Sequence, residues 1–539
     1  MSNYVVYHLH SDDGSLLDSA TKFHMYLDKA QEYNMKAIAF SEHGNVFHWI
    51  KKKEEVEKRG MKYIHAMEAY VTETLNEKIR DNYHMILIAK NFEGVKELNR
   101  LSSKGFNKED GHFYYDARIT LEDIMNTSQN ILITTSCLGG ILAKGRRNGK
   151  EELVNKFINW AVDNKDRVFL EIQYHDHPEQ IEYNQWLYEL SKKTGLKLIA
   201  GTDTHSLNTK YAKARRILMQ AKGIQFQEED KFDLTFKSYE ELIEMFEKQN
   251  SLPLDVVLKA VEFTNEMADM VEEFEIDRSP KYPKLYSNPE EIFKKKINEG
   301  VVKRGINKLE HREKEKYYKR IKEEYEVYKK LNAIDYMLLK NNIIEWCHKN
   351  GIYQGYGRGS VTGSLIAYIL GITEMDSIKH NLNFTRFMNP ERQSLADIDT
   401  DFPPSRRQEV IDYVASIPGI HFSEIITFNT IQLKGAIREV GRALNYELSL
   451  VDEIAKNIDT KEDYYREKYP ELFTYVDLLN GVNISVGSHP SGFLVSPVSL
   501  EENIGLFYTN ESKYPVSQVN MNELDSCNYV KLDLLGLDN

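Results

Sequence analysis

The chain has 539 residues, 41% hydrophobic and 28% charged, the composition of a folded globular protein, and at ~150 residues per domain it predicts about three or four domains. No run approaches the ~18 apolar residues that span a bilayer, and the opening MSNYVVYHLHSDDG has neither the basic flank nor the apolar core of a signal peptide, so membrane, secreted and disordered classes are excluded. A net charge of −13 argues against wholesale coating of nucleic acid while permitting a local basic channel, and three scattered cysteines (Cys137, Cys347, Cys527) cannot form a disulfide framework, which makes a reducing cytoplasm the expected location.

In chain order, short apolar runs with strand character come first: YVVYHLH (4–10), KAIAFSEH (36–43), YIHAMEAY (63–70), YHMILIA (83–89), NILITTSC (130–137), RVFLEIQ (167–173) and LKLIAGTDTH (196–205). Between several of them, stretches such as SATKFHMYLDKAQEYN place apolar residues at helical spacing. Strands separated by helices predict a parallel α/β sheet or a barrel. Residues 206–276 read as helical and acidic. DRSPKYPKLYSNPEE (277–291) carries Pro280, Pro283 and Pro289 and reads as a linker. A strongly helical, mixed-charge stretch follows to 350, then a glycine-rich loop and mixed α/β patterning to the end.

Metal-ligand side chains recur on or beside these runs. His8 and His10 stand two apart, so on a strand both point to one face. His43 ends the second run, Glu68 lies on the third, His84 opens the fourth, Cys137 closes the fifth, and Asp203 and His205 end the last. A lone core histidine or cysteine is usually structural, and an H-x-H pair is a weak signal. Ordered recurrence carries more weight, because parallel sheets and barrels gather strand ends into one site. Mixed histidine, carboxylate and thiolate donors suit zinc, manganese or iron, this many would hold more than one ion, and the chemistry they fit is metal-activated water attacking a phosphoester.

The stretches HLHSDDGSLLD, FSEHGN, MEAY, NYHMILIAKN, TTSCLGG and GTDTH resemble the polymerase-and-histidinol-phosphatase (PHP) domain, in the version that opens bacterial replicative DNA polymerases of family C. The resemblance implies metal ligands at His8, His10, Asp18, His43, Glu68, His84, Cys137, Asp203 and His205, and a 3′→5′ exonuclease activity that often accompanies an intact set. Two departures stand out: Glu42 replaces the aspartate usually found before the second-run histidine, and the loop from His10 to Asp18 is one residue longer.

Further on, GIYQGYGRGSVTGSLIAYILG (351–371) runs into an apolar helix, where glycines permit close approach of a phosphate and a helix N-terminus offers free N–H groups. It is neither a Walker A loop nor G-x-G-x-x-G, and alone reads equally well as a strand-to-helix turn. LADIDTDFPP (395–404) places Asp397, Asp399 and Asp401 at alternate positions, on one face of a strand. Such carboxylates repel unless a cation sits among them; an EF-hand is excluded by Phe402 and Gln408 where glycine and glutamate are required. VKLDLLG (530–536) puts Lys531 and Asp533 on one face of another strand. Two carboxylates on one strand and one on a second are what two-metal phosphoryl transfer needs.

This half resembles the palm of family C polymerases: YGRGSVTGSLIAYILGIT matches the nucleotide-binding loop, FTRFMNPERQSLADIDTDF the first catalytic strand, VKLDLLGL the last, and ITFNTIQLKGAIREVGRAL a thumb-side segment, with VGSHPSGFLVSP and the Gln518 region completing the match. The resemblance implies catalytic aspartates at Asp397, Asp399 and Asp533 holding two Mg2+ ions, with Asp401 outside the trio. It implies triphosphate contacts from Arg358, Gly359, Ser360, Gly363 and Ser364, and DNA or triphosphate contacts from Lys434, Arg438 and Arg442. The implied architecture is α/β and multidomain: a distorted (β/α)7 PHP barrel over 1–276 with a zinc, manganese or iron cluster, a polymerase-beta-like palm over 277–430 and 501–539, and an inserted helical thumb over 431–500. Family C polymerases continue into fingers, clamp-binding and oligonucleotide-binding regions. The expectation is therefore the N-terminal part of a replicative polymerase alpha subunit, split and acting on primer–template DNA and dNTPs with a C-terminal polypeptide that supplies fingers and reaches the sliding clamp. The alternatives are a stand-alone 3′→5′ exonuclease whose palm only binds DNA, and a non-catalytic assembly scaffold.

Overall fold

The computed structural model describes residues 2–224, 231–391 and 397–537. It divides into two compact units: Met1–Glu275 with Thr427–Gly487 and Ile504–Tyr508, and Ile276–Ile426 with Ser488–Asn503 and Thr509–Asn539. Among the described residues, no helix is long and apolar enough to cross a membrane.

In the first unit, strands β1 (Ala37–Phe40), β2 (Lys62–Thr72), β3 (Tyr83–Ala89), β5 (Ile131–Thr134), β6 (Val168–Ile172) and β7 (Leu198–Ala200) pair in that order, with β4 (Arg118–Thr120) on β2. The run at 4–10 does not form a continuous strand. It hydrogen-bonds by turns to both edges of the sheet, through Ala39 N to Val6 O and Ser41 N to Leu9 O on one side, and Thr204 N to His8 O and His10 N to Thr204 O on the other. The curled sheet is thereby bridged edge to edge.

The expectation of an all-parallel sheet needs correction: β3 runs antiparallel to both β2 and β5. A parallel partner needs a crossover of a dozen residues or more, and only the short segment 73–82 joins β2 to β3, so the chain turns straight back. Alternate strand residues such as Ala37, Ile64, Ala66, Ile86, Ile88, Leu132, Phe169 and Ile199 form a core with Phe263 and Met267 of the helix Leu254–Met270. On β2 the same face continues from Ile64 and Ala66 to Glu68, and on β3 from Ile88 and Ile86 to His84, so the apolar layer grades into a ligand layer at one end. The helices Leu433–Ala443, Leu448–Lys468 and Pro470–Leu479 bury Ile437, Val440, Ile454, Ile458, Phe473 and Val476 against Ile217 and Leu218 of the helix Thr209–Ala221. Strand β11 (Leu506–Phe507) is the last element of this unit.

In the second unit the helices Pro289–Lys303, His311–Lys330 and Ile334–Lys349 occupy the stretch expected to be helical. Strands β8 (Asp399–Phe402), β9 (His421–Thr430), β10 (Asn483–Ser496), β12 (Val516–Ser517) and β13 (Val530–Gly536) pair in the order β12-β9-β10-β13-β8. β13 is antiparallel to β10 and parallel to β8, and Ile398, Phe402, Leu532 and Leu534 join one core with Met337, Leu339 and Ile344.

Candidate metal centre and aspartate cluster

The antiparallel course of β3 is what lets His84 open its run and still meet the others: Tyr70, two residues beyond Glu68, is its register partner. The expected ligands gather into overlapping donor sets, His10, His43 and His205; His8, His10 and Asp203; and Glu68, His84 and Cys137, with all ligand atoms of a set within 4.8 Å of one another. Glu68 sits at the middle, its oxygens 3.3 Å from His8 Nε2, 3.3 Å from His10 Nε2, 3.0 Å from His43 Nδ1 and 3.2 Å from His84 Nδ1. Asp18 joins from the side, 3.0 Å from His43 Nε2 and 3.2 Å from His205 Nε2.

Electrostatics match this geometry. Burial disfavours the charge on His8, but Asp203, Glu171 and Glu68 outweigh it and raise its pKa well above the usual imidazole range. Burial, reinforced by His205 and His43, drops His10 to about 3, which leaves it neutral, the form that ligates. Burial opposes the charge on Glu68, Asp203 and Asp18 too, yet the histidines around the first two and the Arg215 guanidinium beside the third keep all three well below the carboxylate range. His8 Nε2, His10 Nε2 and His43 Nδ1 are buried without a hydrogen bond among the described residues. Orphaned imidazole nitrogens aimed at a carboxylate-lined space are the signature of a metal site rather than a polar core, so the donor set fits a cluster of divalent ions. Asp203 and Ser136 adopt left-handed φ of 47° and 58°, and Ser136 donates to Glu68 Oε1 at 2.8 Å.

Residues that motif matching did not reach hold the ligands in place. Glu171, fully buried, takes His8 Nδ1 at 2.7 Å and also accepts from Tyr7, Thr134 and Gln173. A Cβ on Gly201 would lie 2.1 Å from Glu171 Oε1, so only glycine admits that carboxylate. Ser15 Oγ pairs with His10 Nδ1 at 2.9 Å and donates to Glu42 at 2.7 Å. Glu42, one of the two departures noted, is buried and paired with Lys52 at 2.7 Å, and a Cβ on Gly14 in the lengthened loop would lie 2.4 Å from it. Glycine at position 14 therefore leaves the room that the Glu42 side chain fills. The available signal for Glu171 was a lone carboxylate inside the apolar run RVFLEIQ.

In the second unit Asp399 and Asp533 are register partners on the parallel pair β8 and β13. Asp397 precedes β8, which begins at Asp399. Burial raises the Asp397 carboxyl above its usual range, with Asp525, Asp533 and Asp399 adding to it and Lys531 opposing. Lys340, buried on the helix Ile334–Lys349, donates to Ile398 O at 2.8 Å; burial lowers it to about 8 while Asp533, Asp399 and Asp397 pull upward. This cation among the aspartates was missed, although a lysine inside YMLLKNN was visible. Arg358 faces the same carboxylates, 3.6 Å from Asp399 Oδ2 and 3.5 Å from Asp401 Oδ1.

The glycine-serine loop divides. Arg358, Gly359 and Ser360 are exposed, and Gly359 has φ 69°. Gly363 and Ser364 are buried, and a Cβ on Gly363 would lie 2.4 Å from Asn383 O. The expectation that the following helix offers free N–H groups needs correction: Leu365 N and Ile366 N donate to the buried Glu324 carboxylate at 2.8 and 3.0 Å, and Ser364 Oγ donates to it at 2.8 Å while capping Ala367 N. Lys434, Arg438 and Arg442 share an exposed face of the helix Leu433–Ala443, each beside an acid: Asp459 at 2.6 Å, Asp452 at 3.0 Å and Glu439 at 3.6 Å.

Residues 7–175 match the PHP domain model and residues 291–536 that of the bacterial DNA polymerase III alpha NTPase domain. The whole chain is similar to the DNA polymerase III alpha subunits of Aquifex aeolicus (32% identity over 99% of this chain and 51% of the relative), Borreliella burgdorferi (32%, 99% and 48%) and Helicobacter pylori J99 (31%, 98% and 48%). Two stretches of the chain thus match a PHP model and a polymerase III alpha model, and the chain spans about half the length of these relatives.

Proposed function

We propose that this chain is the N-terminal part of a DNA polymerase III alpha subunit, carrying nucleotidyl transfer for template-directed DNA synthesis at Asp397, Asp399 and Asp533 and hydrolysis of DNA 3′ ends at the PHP centre. The observation that carries the reading is the placement of Asp399 beside Asp533 as register partners on adjacent strands, which brings two carboxylates to one place on the sheet for a shared pair of divalent cations. In this reading residues 277–430 and 501–539 are a polymerase-beta-like palm, 431–500 a helical thumb, and 1–276 a distorted (β/α)7 barrel. The palm takes two Mg2+ ions, and the PHP cluster takes zinc, manganese or iron. Primer–template DNA and dNTPs are the substrates, and the part of such a subunit that lies beyond the matched half supplies the fingers and the contact to the sliding clamp.

Divalent ions in either centre supply polarisation of phosphoryl oxygens and activation of the attacking oxygen. The chain's own residues do the rest. Glu68 and Asp203 fix the spacing of the imidazoles, Glu171 and Ser15 set which ring nitrogen of His8 and His10 faces inward, and Arg215 keeps Asp18 ionised. At the second centre Lys340 fixes the carbonyl between Asp397 and Asp399, and Arg358 is within reach to pass from the carboxylates to a triphosphate once cations neutralise them. Exposed Gly359 and Ser360 meet the phosphates, while buried Gly363 and Ser364 shape the loop from beneath.

The test is primer extension by the chain supplied with the C-terminal part of an alpha subunit. Asp533→Asn should abolish extension, by about a thousandfold or more, with circular dichroism unchanged. Extension at the wild-type rate by this variant would overturn the reading.

A further inference from the structure

Ahead of β4, Tyr115 is 61% exposed and holds φ of 61°, a left-handed conformation costly for a bulky side chain. The Arg80 guanidinium lies 3.2 Å from its ring centroid, Tyr114 meets it edge-on at 4.8 Å, and Lys78 Nζ sits 5.9 Å from the Tyr114 ring. This cluster is fixed to the metal centre. The next residue, Asp116, accepts from Asn82 at 3.3 Å, two residues before the ligand His84; burial raises its carboxyl above the usual range while His43 and His84 pull it down. Ala117 packs against Gly44, which follows His43. Among the candidate ligands the His84 side chain is more open than that of Glu68 or His8, at 27% against 1% and 0%, so His84 lies on the open side of the centre. A strained, solvent-facing tyrosine stacked on Arg80, with Lys78 beside its neighbour Tyr114, has no core to fill. An open aromatic face flanked by positive charge is the arrangement that stacks a nucleobase beside a phosphate.

We propose that Tyr115 and Arg80 form a stacking subsite for a base at the 3′ end of a single DNA strand, seating its terminal phosphodiester at the PHP centre. This rests on the reading of that centre as a DNA-hydrolysing site and deepens it by naming the substrate as a single strand with bases. The test compares 3′ trimming of a single-stranded oligonucleotide with that of the same oligonucleotide carrying abasic residues at its last two positions, in Mn2+. The wild-type chain should favour the ordinary end by roughly five- to hundredfold in KM. Tyr115→Phe should keep that preference, and Tyr115→Ala should lose it through a rise in KM on the ordinary strand. Photo-crosslinking from a 3′-terminal 5-iodouracil should capture the peptide carrying Tyr114 and Tyr115. A preference in Tyr115→Ala as large as that of the wild type, or crosslinks confined to other peptides, would overturn the subsite while trimming itself stands. Failure of the wild-type chain to trim either strand with manganese, zinc or iron would instead overturn the hydrolytic reading and the subsite with it.

Discussion

Glu171 has no exposed surface, and its oxygens serve Tyr7, Thr134, Gln173 and the Nδ1 of His8. An acid so placed fixes the ring and raises its basicity as a ligand. Replacing it by the isosteric amide, Glu171→Gln, should weaken metal binding by about ten- to hundredfold, read by titrating Mn2+ into the metal-free chain, with the fold retained. His65 makes a different statement. Its Nδ1 pairs with the Tyr63 hydroxyl and its Nε2 with Asn99 Oδ1, each at 2.8 Å, which satisfies a neutral ring, and burial lowers its pKa to about 4. Between about 4 and the ordinary ~6.5 the unfolded chain binds a proton that the folded chain refuses, so this contribution is complete above pH 6.5 and is lost as pH falls through that window. His65→Gln should therefore reduce the loss of unfolding free energy between pH 7 and pH 5 by about 2 kcal/mol, measured by urea denaturation at both pH values. The side chains that gather at the candidate metal centre were legible in the sequence because most stand on or beside strand runs, Asp18 coming from the family resemblance alone. Glu171, Arg215 and Lys340 were not, since each acts through a partner far away in the chain, and Ser15, five residues from His10, reads as an ordinary loop serine.

At the level of elements, the reversal of β3 explains how a histidine at the start of a run joins ligands at the ends of others. Run composition could not reveal this: a buried strand reads as apolar whichever way it points, and the evidence lay in the shortness of segment 73–82. The loop at 359–364 gives the converse case. Its glycines predicted phosphate-binding N–H groups, but Glu324, forty positions upstream, already occupies the helix start. Ser364→Ala should cost about 1 kcal/mol or somewhat more, because it removes the cap on Ala367 and one of the donors to a buried carboxylate, and a denaturation midpoint would show it. The exposed face with Lys434, Arg438 and Arg442 is the element proposed to meet DNA. Changing all three to glutamine should lower the slope of log affinity against log salt by about two to three, measured by anisotropy with a labelled duplex. An unchanged slope would remove these residues from the interface.

Over the whole molecule the buried carboxylates include Glu68 and Glu171 at the metal centre, whereas at the aspartate cluster Asp397 is exposed and Asp399 and Asp533 are half-buried. Carboxylates and orphaned imidazoles facing one another in a dry interior are tolerable when cations sit among them, so metal removal should destabilise the first unit, and saturating Mn2+ should raise its melting temperature in a concentration-dependent way. Two features were legible from patterning: strands alternating with helices in the first two hundred residues, and the helices between 291 and 350. The curled sheet's mixed directions, and the grouping of Thr427–Gly487 with the N-terminal residues in one compact unit, depend on long-range packing that no local window records.

The most direct test of two separate chemistries in one chain is a single reaction on a 5′-labelled primer–template with dNTPs, Mg2+ and Mn2+, the chain being supplied with a C-terminal alpha-subunit segment. The wild type should give both lengthened and shortened primers, Asp399→Ala only shortened ones, and His10→Ala only lengthened ones. Loss of both products from either substitution, or lengthening by Asp399→Ala, would contradict the account.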